Sequence, residues 1–235
     1  MTYAILSSNG EMDNMTWIQE SKKVENLEVE VCFLLAENYF VGDPNNVDHF
    51  DDEKYRETLE LPSFPRVVES MARTREIIDN VDALSSYYKS IIERSVSLKK
   101  SFNDIRQYFW LRLWFWNSEE GVLVSFPWYD SLSEMQQFFS WLKGDAEKTF
   151  CDMDQGWEVN AVHSDEYVYI RQTDPDSDEV VSNVAVPLVG FAEEAAEVES
   201  RAIKIIADLS NEIGVDVWTK YLQDASFGTK DWQPG

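Results

Sequence analysis

Residues 107–116 read QYFWLRLWFW, and any fold that contains them must cover them. Successive side chains of an extended strand point to opposite faces. Phe109, Leu111, Leu113 and Phe115 therefore form one apolar face, and Tyr108, Trp110, Arg112, Trp114 and Trp116 form the other. The odd set belongs in a core. The even set leaves two arrangements open. Covered by helices, it makes a central strand in which Arg112 stacks among the indoles and reaches an acidic neighbour. Left open, Trp110, Trp114 and Trp116 make a binding platform, because soluble monomers rarely leave so large an apolar patch bare unless it binds something.

The remaining periodicities supply the cover. LEVEVCFLL alternates Leu27, Val29, Val31, Phe33 and Leu35 against Glu28, Glu30, Cys32 and Leu34, which predicts a strand with two glutamates opposite the apolar face. YAILS before it reads as a short strand. VGDPNNVDHFDDEKY, rich in Asp and Asn around Gly42 and Pro44, reads as a long acidic loop that Pro62 and Pro65 close. From Arg66 to Gln107 there is no Gly and no Pro, and apolar residues recur every three or four positions. That spacing predicts helix. DNVD at 79–82 is the expected break into two antiparallel helices, and Ser101 with Asp104 offers a second restart.

YFWLRLWFW and VLVSFPW form a hairpin around NSEEG. SLSEMQQFFSWLKG carries Ser131 and Glu134 as a capping box, a stripe from Leu132 to Leu142, and Gly144 as its stop. WEVNAV, YVYIRQ and VVSNVAVPL predict a three-stranded meander joined by the turns HSDE and TDPDSDE. A last helix is expected from about Ala192 to Ile213 with Gly214 as its cap, VDVW as a short strand, and SFGTKDWQPG as a loosely held tail. Short links between strands imply a mainly antiparallel sheet and the α+β class. The 235 residues suit a single domain, with lobes at 1–107 and 108–235 as the alternative division.

Charge is the outlying property: 44 acidic residues against 20 basic ones, a net −24. Residues 1–65 hold 14 acids and 4 bases, residues 145–199 hold 15 and 2, and residues 66–112 hold 6 and 9. Such a field repels nucleic acid and anionic membranes and attracts basic partners. The bases of 66–112 are expected to pair with the chain's own acids.

No motif spells out a reaction. DPDSDE at 174–179 has the alternating carboxylates of a calcium loop, but Glu179 and Ala185 occupy the positions that need Gly and Glu, so no metal is expected there. His49 and His163 lack zinc-ligand spacing. Cys151 could meet His163, yet Asp152 beside the thiol opposes thiolate formation. Nucleophile-elbow and phosphate-cradle motifs are absent, and no cofactor is implied. Cys32, inside an apolar run, reads as a buried free thiol. There is no signal-peptide pattern and no membrane-length apolar window, so the expected location is the cytoplasm.

These readings favour a non-enzymatic protein that binds and neutralises a basic partner, as an immunity-type or antitoxin-type inhibitor of a nuclease-like effector or a DNA-binding target. The candidate contact residues are Asp165, Glu166, Asp174, Asp176, Asp178 and Glu179 in the meander turns. Asp48, Asp51, Asp52 and Glu53 in the acidic loop form a second set. The rival is a hydrolase of a polar substrate using paired carboxylates beside a Trp platform.

Overall fold

A computed structural model describes residues 16–43, 46–49, 52–144, 149–154 and 156–219. YAILS, Asp51 and SFGTKDWQPG lie outside the described residues. In chain order the elements are β1 (Lys22–Lys23), β2 (Glu28–Leu34), β3 (Asn38–Phe40), β4 (Arg56–Thr58), β5 (Met71–Arg73), α1 (Thr74–Ile77), α2 (Val81–Ser97), β6 (Leu111–Asn117), β7 (Val122–Ser125), α3 (Leu132–Lys143), β8 (Thr149–Asp154), β9 (Trp157–His163), β10 (Tyr167–Asp174), β11 (Glu179–Pro187) and α4 (Leu188–Ile213). The class is α+β with mostly antiparallel pairing. The exception is β1, which runs parallel to β11.

The chain divides into two compact units, neither continuous in sequence. One comprises Met1–Val29, Phe115–Pro127 and Trp141–Glu194, the other Glu30–Trp114, Trp128–Ser140 and Ala195–Gly235. We call them the meander unit and the helical unit.

The meander unit is built on a five-stranded sheet in the order β1-β11-β10-β9-β8. Alternation decides its core: Val159, Ala161, Val168, Ile170, Val184 and Val186 share the inner face and are all buried. Strand β7 lies against β10 and β11, and the Ser125 amide donates to the Gln172 side-chain oxygen at 2.9 Å. Phe115 meets Phe126 and Phe191 edge to face. Strand β8 escaped the sequence reading because TFCDMD shows no clean alternation.

In the helical unit β5 pairs with β2, and α2 buries Leu84, Tyr87, Tyr88, Ile91 and Ile92 on one stripe. Here the expectation of two antiparallel helices over 66–107 fails. Its first arm is a strand followed by the single turn α1. The Glu76 carboxylate collects the amides of Val67 and Arg73 and the Arg73 guanidinium, and pairing with β2 overrides a helical spacing that Val67, 68% exposed, does not use. The break at 78–80 overlaps the expected one at 79–82, and α2 already starts at Val81. Residues 215–218 bend rather than form a strand. The bend drops Trp218 into the core against Phe33, Tyr88 and Phe109.

Buried phenols make this unit sensitive to alkali. The Tyr39 hydroxyl, bonded to Ser95 Oγ at 2.9 Å, is pushed up to about 12 by burial, and burial also raises Tyr87, Tyr88 and Tyr108. The unfolded chain releases these protons near pH ~10 while the folded chain retains them. Stability should therefore be unaffected below that pH and fall as pH climbs from about 10 to 12. Urea midpoints taken across that window should drop in wild type and drop less in Tyr39→Phe. A flat profile would contradict the assignment.

Candidate functional site: the acidic turns of the meander

Both meander turns form as expected. Between β9 and β10, the Ser164 hydroxyl accepts from the Tyr167 amide at 3.0 Å and leaves Asp165 and Glu166 exposed. Between β10 and β11, Asp174 Oδ1 accepts from the Asp176 amide at 2.9 Å, a local turn geometry typical of Asp. That hydrogen bond is the largest cause of the lowered Asp174 pKa. Asp176, Asp178 and Glu179 are exposed and Asp174 is half-buried. Asp178 sits at φ +56, a left-handed conformation that Asp tolerates better than most residues.

The sheet separates the two turns. They cap opposite ends of β10, whose eight residues span about 23 Å at ~3.3 Å per step. One small partner element cannot touch both. None of these six carboxylates forms an ion pair among the described residues.

The acidic loop belongs to the helical unit and is organised by His49. Its Nδ1 accepts from the Asp43 amide at 3.2 Å, its Nε2 lies 2.9 Å from Asn46 Nδ2, and its ring stacks on Tyr55 at 3.9 Å. Asp48 and Glu53 are exposed. Asp52 accepts from the Lys54 amide and pairs with Lys54 at 2.5 Å, and those bonds lower its pKa.

Five of the nine cations of the 66–112 segment form ion pairs within the helical unit. Arg73 pairs with Glu76, Arg75 with Glu30, Lys89 with Glu212, Arg94 with Glu57, and Arg106 with Asp130. Lys100 is buried and donates to the Phe40 carbonyl. The meander unit holds 20 acidic residues against 5 basic ones, a net −15. Of its cations, Lys22 pairs with Glu120 at 2.9 Å and Lys23 sits over the Tyr167 ring at 4.7 Å.

Sequence reasoning missed the most constrained carboxylate. Glu30, expected opposite the apolar face, is 0% exposed. Its Oε2 accepts from Arg75 Nε at 2.7 Å, and its Oε1 accepts from Thr74 and from Arg201 Nη2 at 3.3 Å. Arg201 Nε also donates to Thr74 Oγ1 at 2.8 Å. No local signal marks Glu30, since Arg75 and Arg201 stand 45 and 171 residues away. Tied to two guanidinium groups, this carboxylate anchors β2. An open cavity of about 490 Å³ beside Arg201 is lined by Ile78, Glu197, Ser200 and Lys204.

Strand β6 answers the question of its two faces. Leu111, Leu113 and Phe115 are buried, while Arg112, Trp114 and Trp116 of the strand and Trp110 just before it are half-buried, so the even face is neither sealed nor bare. Tyr108 and Phe109, expected in the strand, lie in a 3-10 turn at 106–109 and are both buried. Trp110 Nε1 donates to Asp130 at 2.6 Å. Arg112 stacks on Trp128 at 4.0 Å rather than on the indoles of its own strand. The expected acidic neighbour is missing among the described residues: Arg112 makes no ion pair and its Nε is buried without a partner. Burial lowers its pKa.

The geometry separates Cys151 from His163. Cys151 is in register with Asn160, three residues from His163, which places them about 10 Å apart along the strand and on opposite faces. Burial, then Glu158 and Asp152, raises the Cys151 pKa. Among the described residues no group of three or more His, Cys, Asp or Glu side chains converges as a metal site, and no helix is long and apolar enough to cross a membrane. No protein-family model, no curated protein and no solved structure matches this chain.

Proposed function

We propose that this chain is a binding protein that neutralises a basic protein partner, an immunity-type or antitoxin-type inhibitor of a nuclease-like effector. Occupation of a DNA-binding protein's site by a DNA-mimicking surface is the same physics. One observation carries the reading: the turn carboxylates have no ion pairs among the described residues, while Arg73, Arg75, Lys89, Arg94 and Arg106 each pair with an acid of the helical unit. Unpaired surface charge contributes little to folding but raises association with an opposite field toward ~10⁸–10⁹ M⁻¹s⁻¹ at low salt. Two free cysteines, Cys32 buried and Cys151 exposed, fit the reducing cytoplasm where such a partner would be met.

The test starts from affinity purification in the native host, read by mass spectrometry, followed by association kinetics. The captured protein should be basic, and its on-rate should fall by about tenfold or more between low and physiological salt. Charge reversal at Asp176, Asp178 and Glu179 should slow association and leave the urea midpoint unchanged. An on-rate indifferent to salt would sink the proposal.

A further inference from the structure

We infer that the docking surface is one end of the five-stranded sheet, where Val180 and Val181 form an apolar anchor beside the 174–179 turn and Met153 stands across the sheet from them, and that its occupant is an arginine-rich segment carrying an aliphatic side chain. This rests on the function proposed above and identifies which acidic turn serves it and with what chemistry.

The strand register supports it. Met153 is opposite Glu158, Glu158 opposite Thr173, and Thr173 opposite Val180, so the four residues form one row across the sheet, with Thr173 itself buried. Three strand spacings make that row about 14 Å long. A bulge between Gln172 and Thr173 inserts Val181 into β11. A bulge sets two residues against one, and here it turns both valines outward where strict alternation would expose only one. They are 46% and 50% exposed, and Met153 is 64% exposed. In the middle of the row Glu158 is held by Asn160 at 2.8 Å and by Thr173 at 3.4 Å. A fixed acceptor therefore stands on one side of the valine pair and the 174–179 turn on the other, apolar and charged groups side by side as in an interface.

The opposite end is the weaker candidate. There Lys23 lies over Tyr167, the residue that follows Asp165 and Glu166, and a cation at that turn dilutes its negative field. A β-branched pair on an exposed strand end has a bland explanation as ordinary surface, but ordinary surface predicts no preference for an aliphatic ligand. Charge complementarity selects the occupant: an arginine offers a planar donor fork to the carboxylates and an apolar stem to the valines.

The measurement is a methyl-detected NMR titration of the full chain with two peptides, an amphipathic arginine–leucine peptide and the same peptide with serine in place of leucine. The leucine peptide should bind about tenfold more tightly and shift the methyl signals of Met153, Val180 and Val181. Val180→Thr with Val181→Thr, exposed and β-branched, should abolish that preference without moving the thermal midpoint. Asp176→Asn, Asp178→Asn and Glu179→Gln together should weaken both peptides. Equal binding of the two peptides, or shifts confined to the Leu188 methyls beside the 165–166 turn, would overturn this assignment and leave the acidic-inhibitor reading standing. Failure of both peptides to bind at low salt would remove both. Concentration-dependent dimerisation that the valine variants abolish would show instead that a second copy of the chain occupies the surface.

Discussion

Replacing Arg75 and Arg201 together by alanine is expected to destabilise the helical unit by about 3–5 kcal/mol, well beyond the sum of the single variants at roughly 1 kcal/mol each. The argument turns on Glu30. With one arginine left, the buried carboxylate keeps a guanidinium partner and its contact with Thr74. With both gone, an uncompensated charge stays in a site that is 0% exposed. Deleting the carboxylate itself should cost less. The side chains of Arg75 and Arg201 are 38% and 23% exposed and can turn toward water, so Glu30→Gln is expected to cost about 1–2 kcal/mol. Urea denaturation of the four proteins in a double-mutant cycle measures the coupling. Simple additivity would mean that the two arginines act independently and that Glu30 is not the link between them.

The second large effect is expected at Trp218. Its ring is fully buried and packs edge on against Phe33, Tyr88 and Phe109. Its indole N–H donates to the Phe109 carbonyl at 3.0 Å, and its own carbonyl accepts from the Leu132 amide, at the start of α3, at 2.8 Å. Trp218→Ala should cost about 3–5 kcal/mol through the cavity it leaves. Trp218→Phe should cost roughly 1–3 kcal/mol, the loss of a filled volume plus an orphaned carbonyl. Thermal unfolding followed by near-ultraviolet circular dichroism separates the two. If Trp218→Ala melts within a degree or two of wild type, the bend after α4 is not part of this core.

Elements with clean local periodicity were legible. Strands β2, β9, β10 and β11 follow from alternation, as does β6 from Leu111 on, its expected first residues forming a 3-10 turn instead, and α3 follows from its stripe and from Ser131 at its start, whose Oγ accepts from the Glu134 amide at 3.4 Å. The Glu134 carboxylate, however, returns to the amide of Asp130 rather than to that of Ser131. Helix α4 begins at Leu188, four residues before Ala192, because the Leu188 amide is held by the Glu166 carbonyl at 2.9 Å, a contact no local pattern announces. Strand β5 was hidden by a helical spacing, and β1, β3 and β4 are only two or three residues long, too short to show a period. Among the candidate contact residues, the turns themselves were legible from Ser164, Asp174 and Pro175. Their placement at opposite ends of β10 was implicit in the meander but needed the register to become a distance.

By itself the sequence determined which side chains share a face, where turns interrupt the strands, and that acidic charge dominates, because alternation, turn chemistry and ionisation are properties of neighbouring residues. Only the tertiary structure decided that Glu30 is buried between two distant arginines, that β6 keeps its tryptophans half-covered, and that a bulge turns Val180 and Val181 outward together. Each of those depends on which strand or helix arrives from elsewhere in the chain, and residues far apart in sequence leave no trace of that meeting in the local pattern.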